Sequence, residues 1–202
     1  MTKYVLNSGG LRKQPKLKQK FHQEIIKGID GNPKFLLCNF AQGREYWEVK
    51  FPGYTDSINN DMPAGVHPTF TLAMPESFAD QCLAADIIYF HGGDDYLVQF
   101  WMKQFDLKEL FKDKVIATNS ATSNMLATHY WTGDWRRCDD GLGVLPIKFF
   151  AHYQSEYGDD DTRGPIDWKK AYDELTNYGD KTLPIHALKE GEFVVIEQNY
   201  IL

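Results

Sequence analysis

The run DIIYFHGGDDYLVQFWMKQFDLKELFKDKVIATNS, residues 86–120, decides the fold. DIIYF (86–90) and KVIATN (114–119) are short and rich in Ile, Val and Phe, the pattern of strands buried on both faces of a sheet. Between them, DYLVQFWMKQF places apolar residues at three- and four-residue steps, the period of a helix covering such a sheet. Strand, helix and strand in that order predict a parallel crossover unit and hence an α/β fold.

The same alternation runs outward in both directions. KYVLN (3–7), KFLLCNF (34–40), TFTLA (69–73), LPIHAL (183–188) and FVVIE (193–197) read as further strands. KQKFHQEIIKGI, PESFADQCLAA, SNMLATHYW and DWKKAYDELTNY carry helical periodicity. Near the end, HALKEGEFVVIEQ reads as two strands joined by a tight Lys-Glu-Gly turn, so an antiparallel hairpin is expected to close the sheet. Residues 52–67 and 154–165 are polar, rich in turn formers, and expected to be long loops. The prediction is one domain over residues 1–202, an α/β three-layer sandwich with a mostly parallel sheet, helices on both faces and a C-terminal β-hairpin.

Charge and composition exclude several functions. A net charge of -6 and a pI near 5.5 disfavour nucleic acid and anionic membranes as partners, because both need a concentrated basic face. The one basic cluster, LRKQPKLKQK (11–20), reads as a solvated lead into a helix. No apolar run approaches the ~18 residues that span a bilayer, and MTKYVLNSGG enters a strand pattern at once, so a cytoplasmic setting is expected. Cys38, Cys82 and Cys138 form an odd set without a CxxC pair, which argues against a disulfide framework and a structural zinc site. Aromatic stretches at REYWEVKFPGY and HYWTGDW could line a pocket, form a homodimer face or simply pack.

Sites in open α/β sheets form at the carboxyl ends of strands, where three features stand out. YFHGGDD ends a strand at Gly92 and Gly93, whose backbone N–H groups can face an anion or oxyanion with no side chain in the way. KVIATNSATSN ends another at Ser120, either a nucleophile beside the Ala121 N–H or an ordinary helix cap. GVLPIKFFAHY delivers His152 after an apolar run, with Asp134, Asp139 and Asp140 as candidates to orient it.

Taken in order, YFHGGDD followed by a helix, Ser-Ala at a strand-to-helix corner and DGLGVLPIKFFAHY resemble the dipeptidase E (alpha-aspartyl dipeptidase) family of serine peptidases. With the cyanophycinases, that family belongs to the class I glutamine amidotransferase-like group, so the resemblance implies a flavodoxin-like three-layer sandwich. The resemblance spans nearly the whole chain and is densest between Asp86 and Tyr153. It implies Ser120 as nucleophile, His152 as base, Asp134 as the orienting acid, and N–H groups of Gly92, Gly93 and Ala121 as the oxyanion hole. It further implies Arg163 as the group that holds an N-terminal aspartyl side chain, a short peptide as substrate, and no metal or organic cofactor.

The chain departs from that pattern at the elbow. Thr118 and Thr122 stand where the family has glycines, His91 replaces the first of three glycines, and Asp94 stands where a GGN motif has asparagine. Two outcomes follow: a working serine peptidase, or a family member with altered or lost activity that binds a small ligand. A cysteine-dependent amidotransferase is disfavoured because the corner residue is Ser120.

Overall fold

The computed structural model describes residues 1–29 and 31–199. In chain order the elements are β1 (Thr2–Asn7), α1 (Pro15–Ile26), β2 (Lys34–Cys38), α2 (Trp47–Asn59), β3 (Thr69–Leu72), α3 (Phe78–Ala84), β4 (Ile87–Phe90), α4 (Asp95–Met102), α5 (Leu107–Leu110) and β5 (Val115–Asn119). They continue as α6 (Ala121–Leu126), β6 (Ala127–Thr132), β7 (Arg137–Asp140), β8 (Leu145–Phe150), α7 (Trp168–Asn177), β9 (Ile185–Ala187) and β10 (Phe193–Gln198).

The main sheet runs β10-β1-β5-β4-β2-β3, parallel throughout except for β10, which pairs antiparallel with β1. Its inner strands are buried on both faces, and the two-residue alternation sorts their side chains into two cores. Val5, Leu37, Tyr89 and Ala117 face Phe21 and Ile25 of α1 and Ile58 of α2. Leu6, Cys38, Phe90 and Ile116 face Phe78 of α3, Val98 of α4, Leu107 of α5 and Met125 of α6. This is the expected three-layer α/β arrangement. Among the described residues, no helix is long and apolar enough to cross a membrane.

A second sheet, β7-β6-β8-β9, was not foreseen as a separate unit. Trp131 and Phe150 on its strands pack against Ala171 and Leu175 of α7. Lys148 on β8 is fully buried, and its ammonium donates to the carbonyls of Leu175 (2.8 Å), Thr176 (3.1 Å) and Tyr178 (2.6 Å) at the end of α7. A cation there satisfies carbonyls that have no partner within the helix and complements the helix dipole.

Three expectations are corrected. The C-terminal hairpin does not form: β9 joins β8 in the second sheet and β10 joins β1 in the first. The residues between them cross from one sheet to the other, held by Leu188 N–H to the Phe150 carbonyl (3.1 Å) and Gly191 N–H to the Gly9 carbonyl (2.7 Å). SNMLATHYW is not one helix, because α6 stops at Leu126 and Ala127 begins β6. The first half of the expected loop at 52–67 is helical, with Pro52 inside α2. The 154–165 stretch does form turns without helix or strand.

Candidate active site

β5 ends at Asn119, and the chain turns into α6 at Ser120 with φ 55 and ψ -113. Positive φ at a non-glycine residue costs about 1 to 3 kcal/mol, so the surroundings must hold it in place. They do so through the two threonines. Thr122 Oγ1 accepts the Asn119 N–H (2.8 Å) and lies 3.0 Å from the Phe90 carbonyl oxygen. Thr118 Oγ1 is 2.8 Å from Ser123 Oγ, which reaches the Asn7 carbonyl (2.8 Å). Asn7 O also accepts the Ser120 N–H at 2.9 Å. Both threonines are fully buried, and their hydroxyls tie the turn to β1 and β4. Thr122→Gly should therefore lower stability by about 2 kcal/mol through lost bonds and added chain entropy. Thermal melting would show it as a fall of about 4 to 8 °C.

Ser120 Oγ lies 2.9 Å from His152 Nε2. His152 follows β8 and is itself at positive φ (57), so both partners sit on strained corners. His152 Nδ1 is 3.0 Å from Glu190 Oε1. The carboxylate on the imidazole is therefore Glu190, a residue absent from the sequence prediction, and not Asp134. Asp134 Oδ1 instead accepts the Tyr157 hydroxyl at 2.5 Å, and the Tyr157 ring stacks on His152 at 4.1 Å. Asp139 and Asp140 are also engaged elsewhere, with Tyr96 (2.6 Å) and His129 (2.6 Å).

The loop after β1 seats this pair. A Cβ on Gly9, at φ +99, would fall 2.3 Å from His152 Cε1, and one on Gly10, at φ +71, would fall 2.6 Å from Glu190 Cβ. Ser8 Oγ accepts the His152 N–H at 2.6 Å and donates to the Leu188 carbonyl at 2.7 Å. Gly9→Ala should push the imidazole away from Ser120 Oγ, and a shift of the His152 ring resonances in NMR spectra would check this.

Gly92 and Gly93 also lack space for a side chain: a Cβ on Gly92 would lie 2.6 Å from the Asn119 carbonyl oxygen, and one on Gly93 2.1 Å from that of Ala41. The same Gly92 position is 3.5 Å from Ser120 Cβ, which puts this turn against the serine. Among the described residues, the N–H groups of Gly92, Gly93 and Ala121 have no protein acceptor.

No protein-family model and no curated protein matches the chain. Solved structures do resemble it, two of them as follows. A peptidase from an acI-B1 Actinobacterium superposes with a TM-score of 0.68 at 17% identity, covering 97% of this chain and 83% of that one. A Listeria monocytogenes EGD-e protein provisionally assigned as peptidase E gives 0.61 at 12% identity, covering 98% and 100%. The chain has a peptidase E-like fold.

Within that fold the remaining departures have local explanations. Asp94 caps α4, accepting the N–H groups of Tyr96 (2.9 Å) and Leu97 (2.7 Å). His91 stacks on Tyr54 with ring centroids 3.6 Å apart, and burial lowers its pKa to about 3, so it is neutral. Burial raises the thiol pKa of Cys82 to about 12 and of Cys138 to about 11, which keeps both protonated and poorly nucleophilic.

Arg163 is not a free anion receptor. Its guanidinium forms a bidentate pair with Asp161, at 2.9 and 2.5 Å, and donates to the Asp134 carbonyl at 2.8 Å. It lines a cleft of about 580 Å³ beside Glu190 with Asp134, Glu156, Asp160 and Asp161, where carboxylates outnumber the cations Lys13 and Arg163.

Proposed function

We propose that this chain is a serine peptidase acting on short peptides through Ser120, His152 and Glu190. The observation that carries this reading is the strained Ser120 corner whose hydroxyl meets an imidazole at 2.9 Å. An ordinary helix cap would bond its own helix, and Ser120 makes no side-chain cap bond.

In this reading Ser120 Oγ attacks the peptide carbonyl carbon while His152 Nε2 takes its proton. Glu190 holds the Nδ1–H tautomer and stabilises the imidazolium that forms. N–H groups of Ala121 and the Gly92-Gly93 turn stabilise the oxyanion. His152 then returns the proton to the departing amine, and water, deprotonated by the same imidazole, releases the acyl group. With Arg163 engaged by Asp161, an N-terminal aspartyl preference loses its receptor. The carboxylate-rich cleft suits the free amino terminus of a peptide.

Free dipeptides and their N-acetylated counterparts, followed by mass spectrometry, test the proposal. It requires turnover of the free dipeptides and slower turnover of the blocked ones. Binding detected by thermal shift with no turnover of any peptide would favour a ligand-binding protein instead.

The acid limb of activity gives a further prediction. Burial lowers the His152 pKa, and the hydrogen bond and charge of Glu190 partly offset this. The neutral imidazole is the active form, so kcat/KM should rise with pH and reach half its plateau below 6.5, the ordinary histidine value. Glu190→Gln removes an interaction that favours the imidazolium, and the limb should move to still lower pH.

A further inference from the structure

The basic cluster at residues 11–20 is not wholly a solvated segment: Leu11, Arg12, Pro15 and Lys18 wall a cavity. A cavity of about 510 Å³ opens between α1 and α2 and reaches the ends of β4 and β5, where His91 and Asn119 line it. Its charged walls are Arg12, Lys18 and Lys50, and no carboxylate is among its described lining residues. Lys18 is partly neutralised by Asp61 at 3.3 Å. Arg12 has no hydrogen-bond or ion-pair partner among the described residues, and Lys50 has only the Tyr46 ring, 5.0 Å from its ammonium. Tyr54, stacked on His91, gives the cavity an apolar wall. His91 Nε2 is buried without a hydrogen-bond partner.

In a protein of net charge -6, uncompensated cations around a cavity beside the candidate nucleophile form a local anion receptor. The cleft on the Glu190 side has the opposite character, with carboxylates in excess. Asn119, which lines the basic cavity, directly precedes Ser120. A peptide lying across Ser120 with its amino end in the acidic cleft would carry its carboxyl end into the basic cavity.

We propose that this cavity binds the leaving half of the substrate through its carboxylates, so that the preferred peptides have an acidic residue or a free C-terminus after the scissile bond. This inference rests on the peptidase reading for its orientation. It makes Arg12 and Lys50 specificity-determining residues and leaves the Ser120 chemistry unchanged.

The test uses full-length Ser120→Ala protein, which cannot turn over its ligand, and calorimetric titration with Ala-Glu, Ala-Gln, Ala-Lys and the C-terminal amide of Ala-Glu. Ala-Glu should bind about three- to tenfold more tightly than Ala-Gln or the amide, and Ala-Lys most weakly. Adding Arg12→Ala or Lys50→Ala should abolish the preference for Ala-Glu over Ala-Gln, and Arg12→Lys should retain it. Both positions are exposed, so these variants are expected to fold, with the melting temperature as the control. Equal affinities for all four ligands, or a preference untouched by either alanine substitution, would overturn the proposal. Reactivity of Ser120 is scored separately on the unmodified protein, so failure of the peptidase reading and failure of the cavity assignment give different results.

Discussion

Ser120→Ala should reduce peptide hydrolysis by about 10⁴-fold or more, and His152→Ala should match it. The two side chains form one proton path, Oγ to Nε2 at 2.9 Å, so removing either end disables both. The double variant should be no worse than either single one, because residues that act as a unit are not additive. The folded state should survive the serine change, since the Ser120 hydroxyl bonds only to His152 among the described residues while its N–H is held by the Asn7 carbonyl and Thr122 holds the neighbouring Asn119 N–H. Steady-state kinetics with circular dichroism on the same samples would check both statements.

The second large effect separates two carboxylates. Glu190→Gln should cost about 10² to 10⁴ in kcat, because an amide can present its N–H₂ to Nδ1 and favour the wrong tautomer. Asp134→Asn should cost about tenfold at most. Asp134 touches Tyr157 and not the imidazole, and the contact it supports, a ring stacked on His152, is worth about 1 kcal/mol. If the two variants ranked in the opposite order, Asp134 would be the working acid and the Glu190 contact incidental.

The parts of the fold that were legible in sequence are those governed by local pattern. Strands such as IIYF in β4 and VIATN in β5 are buried on both faces and therefore nearly continuous in apolar residues. The serine corner was legible for a related reason, since strand and helix patterns meet at one residue. The second sheet was harder to see. β7 is RCDD, exposed or half-buried, and its pairing with β6 comes from chain geometry instead of hydrophobic alternation.

The misread hairpin and the missed acid have one cause. Lys189-Glu190-Gly191 has the composition of a tight turn, and Gly191 does adopt φ +83. Only the tertiary pairing shows that β9 and β10 belong to different sheets, so that the residues joining them cross beneath the β1 loop and bring Glu190 to His152. The signal available in sequence was the Asn7-Ser8-Gly9-Gly10 run, where two glycines allow the close approach of the imidazole and the glutamate. The elbow threonines, which stand where the family has glycines, hold the turn through tertiary bonds that sequence does not show: the Thr122 hydroxyl meets backbone groups of Asn119 and Phe90, and the Thr118 hydroxyl meets Ser123 Oγ.

The proposed function makes Ser120 an activated nucleophile on a threonine-stitched corner. Intact-mass analysis after incubation with a fluorophosphonate probe tests it most directly, on the unmodified protein, Ser120→Ala and His152→Ala. A single adduct is expected on the unmodified protein, mapped to Ser120 by peptide digestion, and none on either variant. A folded, unmodified protein that takes up no probe, or an adduct that persists in Ser120→Ala, would contradict it.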